Sequence, residues 1–426
     1  MPTLIVAHSE SLCNFLLPLL LGFSAAQTRH MLNCIEALLV CQSKHKTLSA
    51  LTRLLRLPHA DEFALADFFR VSTWDAEALR LALVKLLLQL IVRLQQRTGW
   101  RLLFLRVDDA LAIKDLATAH LEAVSLHYDH NRPRRQKGVC SNSSLYVTLA
   151  LQVGPLQFML NWRLYLSHKV VKRLNRQRDR EHQLAYAKLA TLVEQMLDEV
   201  APLLPSGCAV YVLFDAWYDN QHLQKHIRAL HWHWICAARA NRMLNERPLG
   251  HWWSHLNHQR STQVVLRSAT RSHTYATRFI RGRLRRYPEP VIAIISKRKR
   301  RDARPAYFLC SDTRLRVPTI LKYYGYRWQA EVDNWFLKER FGLADYRLHS
   351  VEAITRWHAL VFVAYAFIQL QRVKPLLDDP RASLQPLGEV LRAHQREHAR
   401  RMIGDIADKV RQGISNAELL AIFCPP

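Results

Sequence analysis

Four residues of complementary chemistry stand at fixed gaps late in the chain: Tyr324, Arg327, Glu331 and Lys338, in the run 318–342, PTILKYYGYRWQAEVDNWFLKERFG. Pro318 suits the first turn of a helix and Gly342 the position just past its end, so the run is expected to form a single helix. At a turn of about 100° per residue, with Glu331 at zero, Tyr324 falls about 20° away, Arg327 about 40° and Lys338 about 20°. A carboxylate, two cations and a phenol then share one narrow face, flanked by Trp328 and Trp335. An arginine fork and a lysine point charge suit phosphate oxygens, and a carboxylate suits a hard cation. The same spacing also describes a solvated surface helix, because an Arg327–Glu331 i,i+4 pair contributes only a few tenths of a kcal/mol.

The spacing Tyr324-x2-Arg327-x3-Glu331-x6-Lys338 resembles the Y-R-E-K signature of DDE transposases from bacterial insertion sequences, the insertion sequence four superfamily. That resemblance demands two aspartates upstream, each at the end of a strand. Residues 102–107 are a short apolar run suited to a buried strand, and Asp108-Asp109 follow. A second such run, 208–214, is followed by Asp215. The resemblance implies that Asp108, Asp215 and Glu331 are the catalytic carboxylates and hold two Mg²⁺ ions, with Mn²⁺ able to substitute. It also implies that Tyr324, Arg327 and Lys338 bind phosphates near the cleaved end of double-stranded transposon DNA. Of the adjacent aspartates, Asp108 is favoured as the final strand position, held by the sheet, with Asp109 already in the turn. Ala110 departs from the family, in which Thr or Ser often follows the first aspartate. Each aspartate alone reads equally well as a strand end or a cap; the reading rests on all three carboxylates together with the signature helix.

The intervening chain supplies elements to position them. Residues 145–153 and 156–166 read as strands parted by Gly154-Pro155, the second ending in the Leu164-Tyr165 pair typical of the family's third strand. Residues 169–180 read as a basic loop, 182–204 as helical and 231–239 as a further strand. Three strands, a helix and a fourth strand are the order of an RNase H-like mixed-sheet α/β core. Residues 240–316 hold 18 Lys and Arg against 4 Asp and Glu, a net +14, among strand-like runs. Members of the resembled family carry a β-rich insertion at this point. The cluster Lys297, Arg298, Lys299, Arg300, Arg301 is expected to bind DNA phosphates there, and Trp217, Trp252 and Trp253 are either packing residues or platforms for an unpaired base. The expected organisation is a helical N-terminal domain (1–98), a catalytic domain (99–372) interrupted by the insertion at 240–316, and C-terminal helices (373–426). In the first of these, Ser72 or Thr73 is expected to cap a helix over 74–97.

Composition agrees with a nucleic-acid partner. The 426 residues carry 61 Lys and Arg against 35 Asp and Glu, a formal +26, with 49% hydrophobic residues. That excess points to a polyanion, DNA before a membrane surface, on a folded globular protein. Eight cysteines without a C-x-x-C pair suggest neither a zinc site nor a disulfide framework, as expected of a cytoplasmic, nucleoid-associated protein. The apolar run 15–23 is too short and Pro-broken to span a bilayer, and is expected in the core. The resemblance, with which these features agree, implies a transposase that cuts transposon ends and joins them to target DNA, a homodimer in the DNA complex. The alternatives are a transposase-derived DNA-binding protein without catalysis, and a metal-dependent nuclease that does not join strands.

Overall fold

The structure, a computed structural model, describes residues 5–55, 62–118, 120–129, 140–267, 272–298, 304–379 and 381–423. Its centre is a mixed sheet of ten strands. In chain order the strands are β1 (Leu102–Ile113), β2 (Ser125–Tyr128), β3 (Cys140–Val153), β4 (Leu156–Tyr165), β5 (Ala209–Phe214) and β6 (His233–Ala238), then the short β7 (Met243–Leu244) and β8 (Arg247–Pro248). They continue with β9 (Thr262–Arg267), β10 (Ser272–Arg283), β11 (Pro290–Lys297) and β12 (Ala306–Cys310). The sheet runs β2-β3-β1-β5-β6-β12-β11-β10-β9, with β4 also paired to β3, and β7 and β8 form a separate hairpin. β1 is antiparallel to β3 and parallel to β5, which is parallel to β6. Crossover helices Leu189–Val200 and Gln221–Ala229 precede and follow β5. The suite β4-β3-β1-β5-β6, with a helix before each parallel strand that follows β4, is an RNase H-like core. The strands of the basic region do not stand apart from it, because β12 pairs with β6 and continues the same sheet.

Three expectations are corrected. The run 102–107 does not end at Val107: β1 continues to Ile113, and Asp108 and Asp109 pair with Thr148 and Val147 of β3. The paired neighbour holds the backbone where the side chains have ceased to be apolar. Residues 169–180 are not a loop throughout, since His168–Asn175 is a helix that buries Val170, Val171 and Leu174 under a Ser167 cap. The helix over Ala76–Thr98 is capped by Asp75, whose side chain accepts from the Glu77 amide, and it ends at Gly99 in the left-handed region that glycine tolerates.

The helix Val351–Asp378 runs through the middle of the protein. It is long and apolar enough to cross a membrane, yet 83% of its most apolar window is buried inside the fold, as befits a core helix. One hydrophobic core joins it to the N-terminal helices, β1, β3 and β4. The run 15–23 is split: Phe15, Leu16 and Leu19 are buried, while Leu17 and Leu21 are exposed. A smaller apolar cluster lies on the opposite sheet face, where Phe104, Tyr211 and Leu213 meet Ile320 and Leu321. That second cluster seats the segment carrying Glu331.

Candidate active site

Alternation along β1 decides which aspartate faces what. Leu103, Leu105 and Val107 enter the main core, whereas Phe104 enters the smaller cluster. Arg106 and Asp108 therefore share the Phe104 face, toward the Glu331 segment, while Asp109, on the alternate side of the strand, still has Asp215, Lys338, Arg327 and Glu331 as its charged neighbours. The contacts agree. Asp108 Oδ1 accepts from Arg327 Nη1 at 3.4 Å and its Oδ2 from Asn334 Nδ2 at 3.4 Å. The other end of the Arg327 guanidinium stands 3.7 Å from Glu331 Oε1. One cation is thus shared between two of the three candidate carboxylates. The β1–β5 ladder closes at Arg106 opposite Leu213, and Asp215, the residue after β5, bears on both Asp108 and Asp109 and is the first of Asp109's charged neighbours.

Glu331 does not lie on one uniform helix. Residues Val317–Gly325 are α-helical with Pro318 in the first turn, Tyr326–Trp328 tighten into a 3₁₀ turn, Gln329–Trp335 return to α, and Phe336–Arg340 widen into a π turn. Gly342 then ends the segment at φ +69°. The single helix expected from the spacing is therefore one continuous helical segment with three hydrogen-bonding patterns. Such irregularities concentrate at functional sites. Lys338 lies in the π turn, and Asp109 is the carboxylate that bears on it most.

The electrostatics record an excess of negative charge. Burial pushes Asp108 up to about 7, against the pull of Arg327 and with Asp109, Glu331 and Asp215 adding to the rise. Burial pushes Asp109 up to about 6, with Asp215 its foremost charged neighbour. Burial lowers Lys338, opposed first by Asp109, and burial raises Tyr324 to about 12, opposed by Arg327. Four acidic groups against Arg327 and Lys338 leave a site that a cation would satisfy. Among the described residues, no three His, Cys, Asp or Glu side chains lie within holding distance of one ion; Arg327 stands between Asp108 and Glu331 instead. The donor set still fits a hard divalent ion, being all carboxylate oxygen, and the Glu331 side chain is 44% exposed with, among the described residues, one loose ion pair.

The other sequence candidates divide. Trp328 and Trp335 are exposed on the segment that carries Glu331, with Arg340 over the Trp335 ring at 5.3 Å. Lys297 Nζ lies over the Trp253 ring at 4.7 Å, and Arg298 donates to His273 Nδ1 at 3.2 Å. Lys299, Arg300 and Arg301 lie outside the described residues. Trp253 also carries Arg278 at 4.5 Å, so it packs between cations, and Trp217 is 45% exposed with Arg239 over its ring at 5.7 Å. Trp217 and Arg239 line a cavity of about 580 Å³ with Arg242, Arg285 and Arg286, next to Asp215. Those arginines were not anticipated from the sequence, although the adjacent pair at 285–286 was a visible signal. Nor was Asn334, whose hydrogen bond to Asp108 depends on a pairing distant in sequence.

The RNase H-like sheet thus brings acidic groups of β1 and of the turn after β5 under a helical segment that bears a further carboxylate, Glu331. The chain belongs to the DDE superfamily endonucleases, whose family model matches residues 18–260. A transposase DDE domain model also matches residues 186–367, a span that includes Asp215 and Glu331. No curated protein matches the chain. Members of this superfamily are DNA-cleaving enzymes that use divalent metals.

Proposed function

We propose that the protein is a transposase of the insertion sequence four type, which cleaves transposon DNA ends and joins them to target DNA. The observation that carries this reading is the Arg327 guanidinium shared by Asp108 and Glu331 from strand and helix, with Asp215, just past the end of β5, bearing on Asp108 by its charge. Asp108, Asp215 and Glu331 would hold two Mg²⁺ ions. Bound metal supplies Lewis-acid stabilisation of the charge that develops on the entering and leaving oxygens of a phosphodiester. The chain's own groups bind and orient the strand: Arg327 and Lys338 offer phosphate donors beside the carboxylates, and Tyr324 buttresses Arg327 from the Phe308 ring, 4.8 Å away. Tyr324, Arg327 and Lys338 act as the Y-R-K of the signature. A homodimer on paired terminal inverted repeats would complete the complex.

The test uses duplexes taken from the DNA flanking the gene, with Mg²⁺, Mn²⁺ or EDTA. Site-specific nicks with free 3′-OH ends, followed by joined products, are the expected result. Nicks without joining would establish the second reading, a nuclease, which the family's endonuclease description favours. Binding without nicking under any metal would sink both.

Salt dependence probes the basic strands independently. Neutralising Lys297, Arg298, Lys299, Arg300 and Arg301 together is expected to weaken duplex binding and to reduce the log–log salt slope by about 0.9 for each phosphate no longer neutralised. An unchanged slope would show that the cluster does not touch DNA.

A further inference from the structure

Beneath the carboxylates lies an ion pair removed from water altogether. Arg106 Nη2 donates to Asp333 Oδ2 at 3.1 Å, with the two side chains 0% and 2% exposed. The second oxygen of Asp333 accepts from the Tyr365 hydroxyl at 2.6 Å. Tyr365 belongs to the core helix Val351–Asp378 and is itself fully buried. The Nε and Nη1 of Arg106 have no acceptor among the described residues.

As a device for stability this is a poor choice. Desolvating a guanidinium and a carboxylate costs several kcal/mol per ion, and a well-packed apolar pair of similar volume often stabilises as much or more. A half-satisfied arginine makes the comparison worse. What such a pair does provide is direction, since an ion pair with a fixed hydrogen bond defines one register where apolar packing tolerates sliding. Its position in sequence shows which register is defined. Arg106 precedes Asp108 by two residues on β1, so the two side chains leave the same face. Asp333 follows Glu331 by two residues on the helix. The brace therefore joins the strand of one carboxylate to the helix of another, and Tyr365 ties both to the core helix. Asn334, the next residue, reaches Asp108 itself. The segment needs such a tie because 3₁₀ and π turns interrupt it on either side of Gln329–Trp335.

We propose that Arg106, Asp333 and Tyr365 are positioning residues that set the Glu331 helix against β1, so that Glu331 and Asp108 can serve one metal-dependent site. This rests on the catalytic reading above. None of the three touches the reacting atoms. Their work is to hold a constellation for which a misplacement of about 1 Å can cost about 100-fold in rate.

The test compares full-length wild type with Arg106→Met/Asp333→Leu, Tyr365→Phe and Glu331→Gln. The double variant keeps the volume and removes both charges, so it is expected to melt within about 5 °C of wild type. Duplex binding in EDTA should stay within twofold, while nicking falls about 100-fold and the Mg²⁺ concentration for half-maximal nicking rises. Without metal or DNA, hydrogen exchange of the 326–340 amides should quicken about tenfold with the β1 amides unchanged. Tyr365→Phe removes a single hydrogen bond and is expected to lower nicking about tenfold with binding intact; it decides the matter if the double variant does not fold. Glu331→Gln separates the two claims. If it is inactive while the folded brace variants nick at the wild-type rate with unchanged exchange, the brace is overturned and the catalytic reading stands. If Glu331→Gln nicks like wild type, the catalytic reading falls, and the brace proposal falls with it whatever the exchange data show.

Discussion

Asp108→Asn, Asp215→Asn and Glu331→Gln each lower metal-dependent nicking about a thousandfold, the loss of roughly 4 kcal/mol of transition-state stabilisation, whereas Asp109→Asn loses about tenfold or less. This is the expected result, and the asymmetry between neighbours carries the argument. Asp108 leaves β1 on the face of the Glu331 helix and shares Arg327 with Glu331. Asp109 leaves the alternate side of the strand and its side chain makes no hydrogen bond to Arg327 or Asn334, although Asp215, Lys338, Arg327 and Glu331 all bear on it by charge. An asparagine keeps the shape of the side chain but removes the charge that a divalent cation needs. Duplex binding in EDTA should stay within about threefold of wild type in all four variants, because a carboxylate without metal supplies no attraction for a phosphate. A thousandfold loss at Asp109 with near-normal rates at Asp108 would move the metal site to the other face of β1. Equal losses at both would mean that the two carboxylates act as a unit.

The end of the apolar run at Val107 is not what singles out Asp108, although the residue remains the candidate. The sequence suggests that the strand stops at Val107 because the apolar run stops there. In the structure β1 goes on for six more residues, and Asp108 and Asp109 are strand residues like their predecessors. Hydrophobic pattern reports which side chains are buried among apolar neighbours, and at a catalytic strand it breaks before the backbone does. The same blindness hid the helix His168–Asn175, where Val170, Val171 and Leu174 form a proper apolar stripe under a conspicuous basic surface. Other local features were legible: the strand before Asp215, the break at Gly154-Pro155, the proline and glycine bounding the Glu331 segment. Features that depend on pairing distant parts of the chain were not. No local signal shows that β12 docks on β6 and makes the basic strands an extension of the catalytic sheet, or that Arg106 meets Asp333. The 3₁₀ and π turns around Glu331 belong to this second kind, since they follow from how the segment is seated on Phe104 and Tyr365.

The largest effect on stability is expected far from the active site, at Glu36. This carboxylate is 0% exposed, on the N-terminal helix Ala25–Val40, yet its partners come from the C-terminal helix Leu387–Arg411. Its Oε1 accepts from His394 Nε2 at 3.1 Å and Arg401 Nη2 at 3.0 Å, with His398 Nδ1 at 3.6 Å, and its Oε2 accepts from the Ser9 amide at 3.3 Å. Burial alone would push Glu36 up. The hydrogen bond from His394, the neighbouring His398 ring and the Arg401 charge overcome it and hold the group well below the ordinary carboxylate range. Glu36→Gln keeps the volume, takes the charge from the buried acceptor of His394 and leaves Arg401 with Glu397 alone, at 2.7 Å, as its counter-charge, so a loss of about 3 kcal/mol is expected in denaturant unfolding. The pH dependence has a definite sign. A carboxylate whose folded pKa is depressed contributes stability that is fully present above its unfolded value of 4.5 and is lost as pH falls through the folded one. Wild type should therefore lose stability progressively below about pH 4.5, and the variant should show a flatter acid limb over that window. Limited proteolysis at neutral pH should cut the variant first near 387–411, because that helix loses the anchor holding it to the N-terminal bundle. Equal denaturation midpoints and superimposable acid limbs would show that the cluster holds neither helix in place.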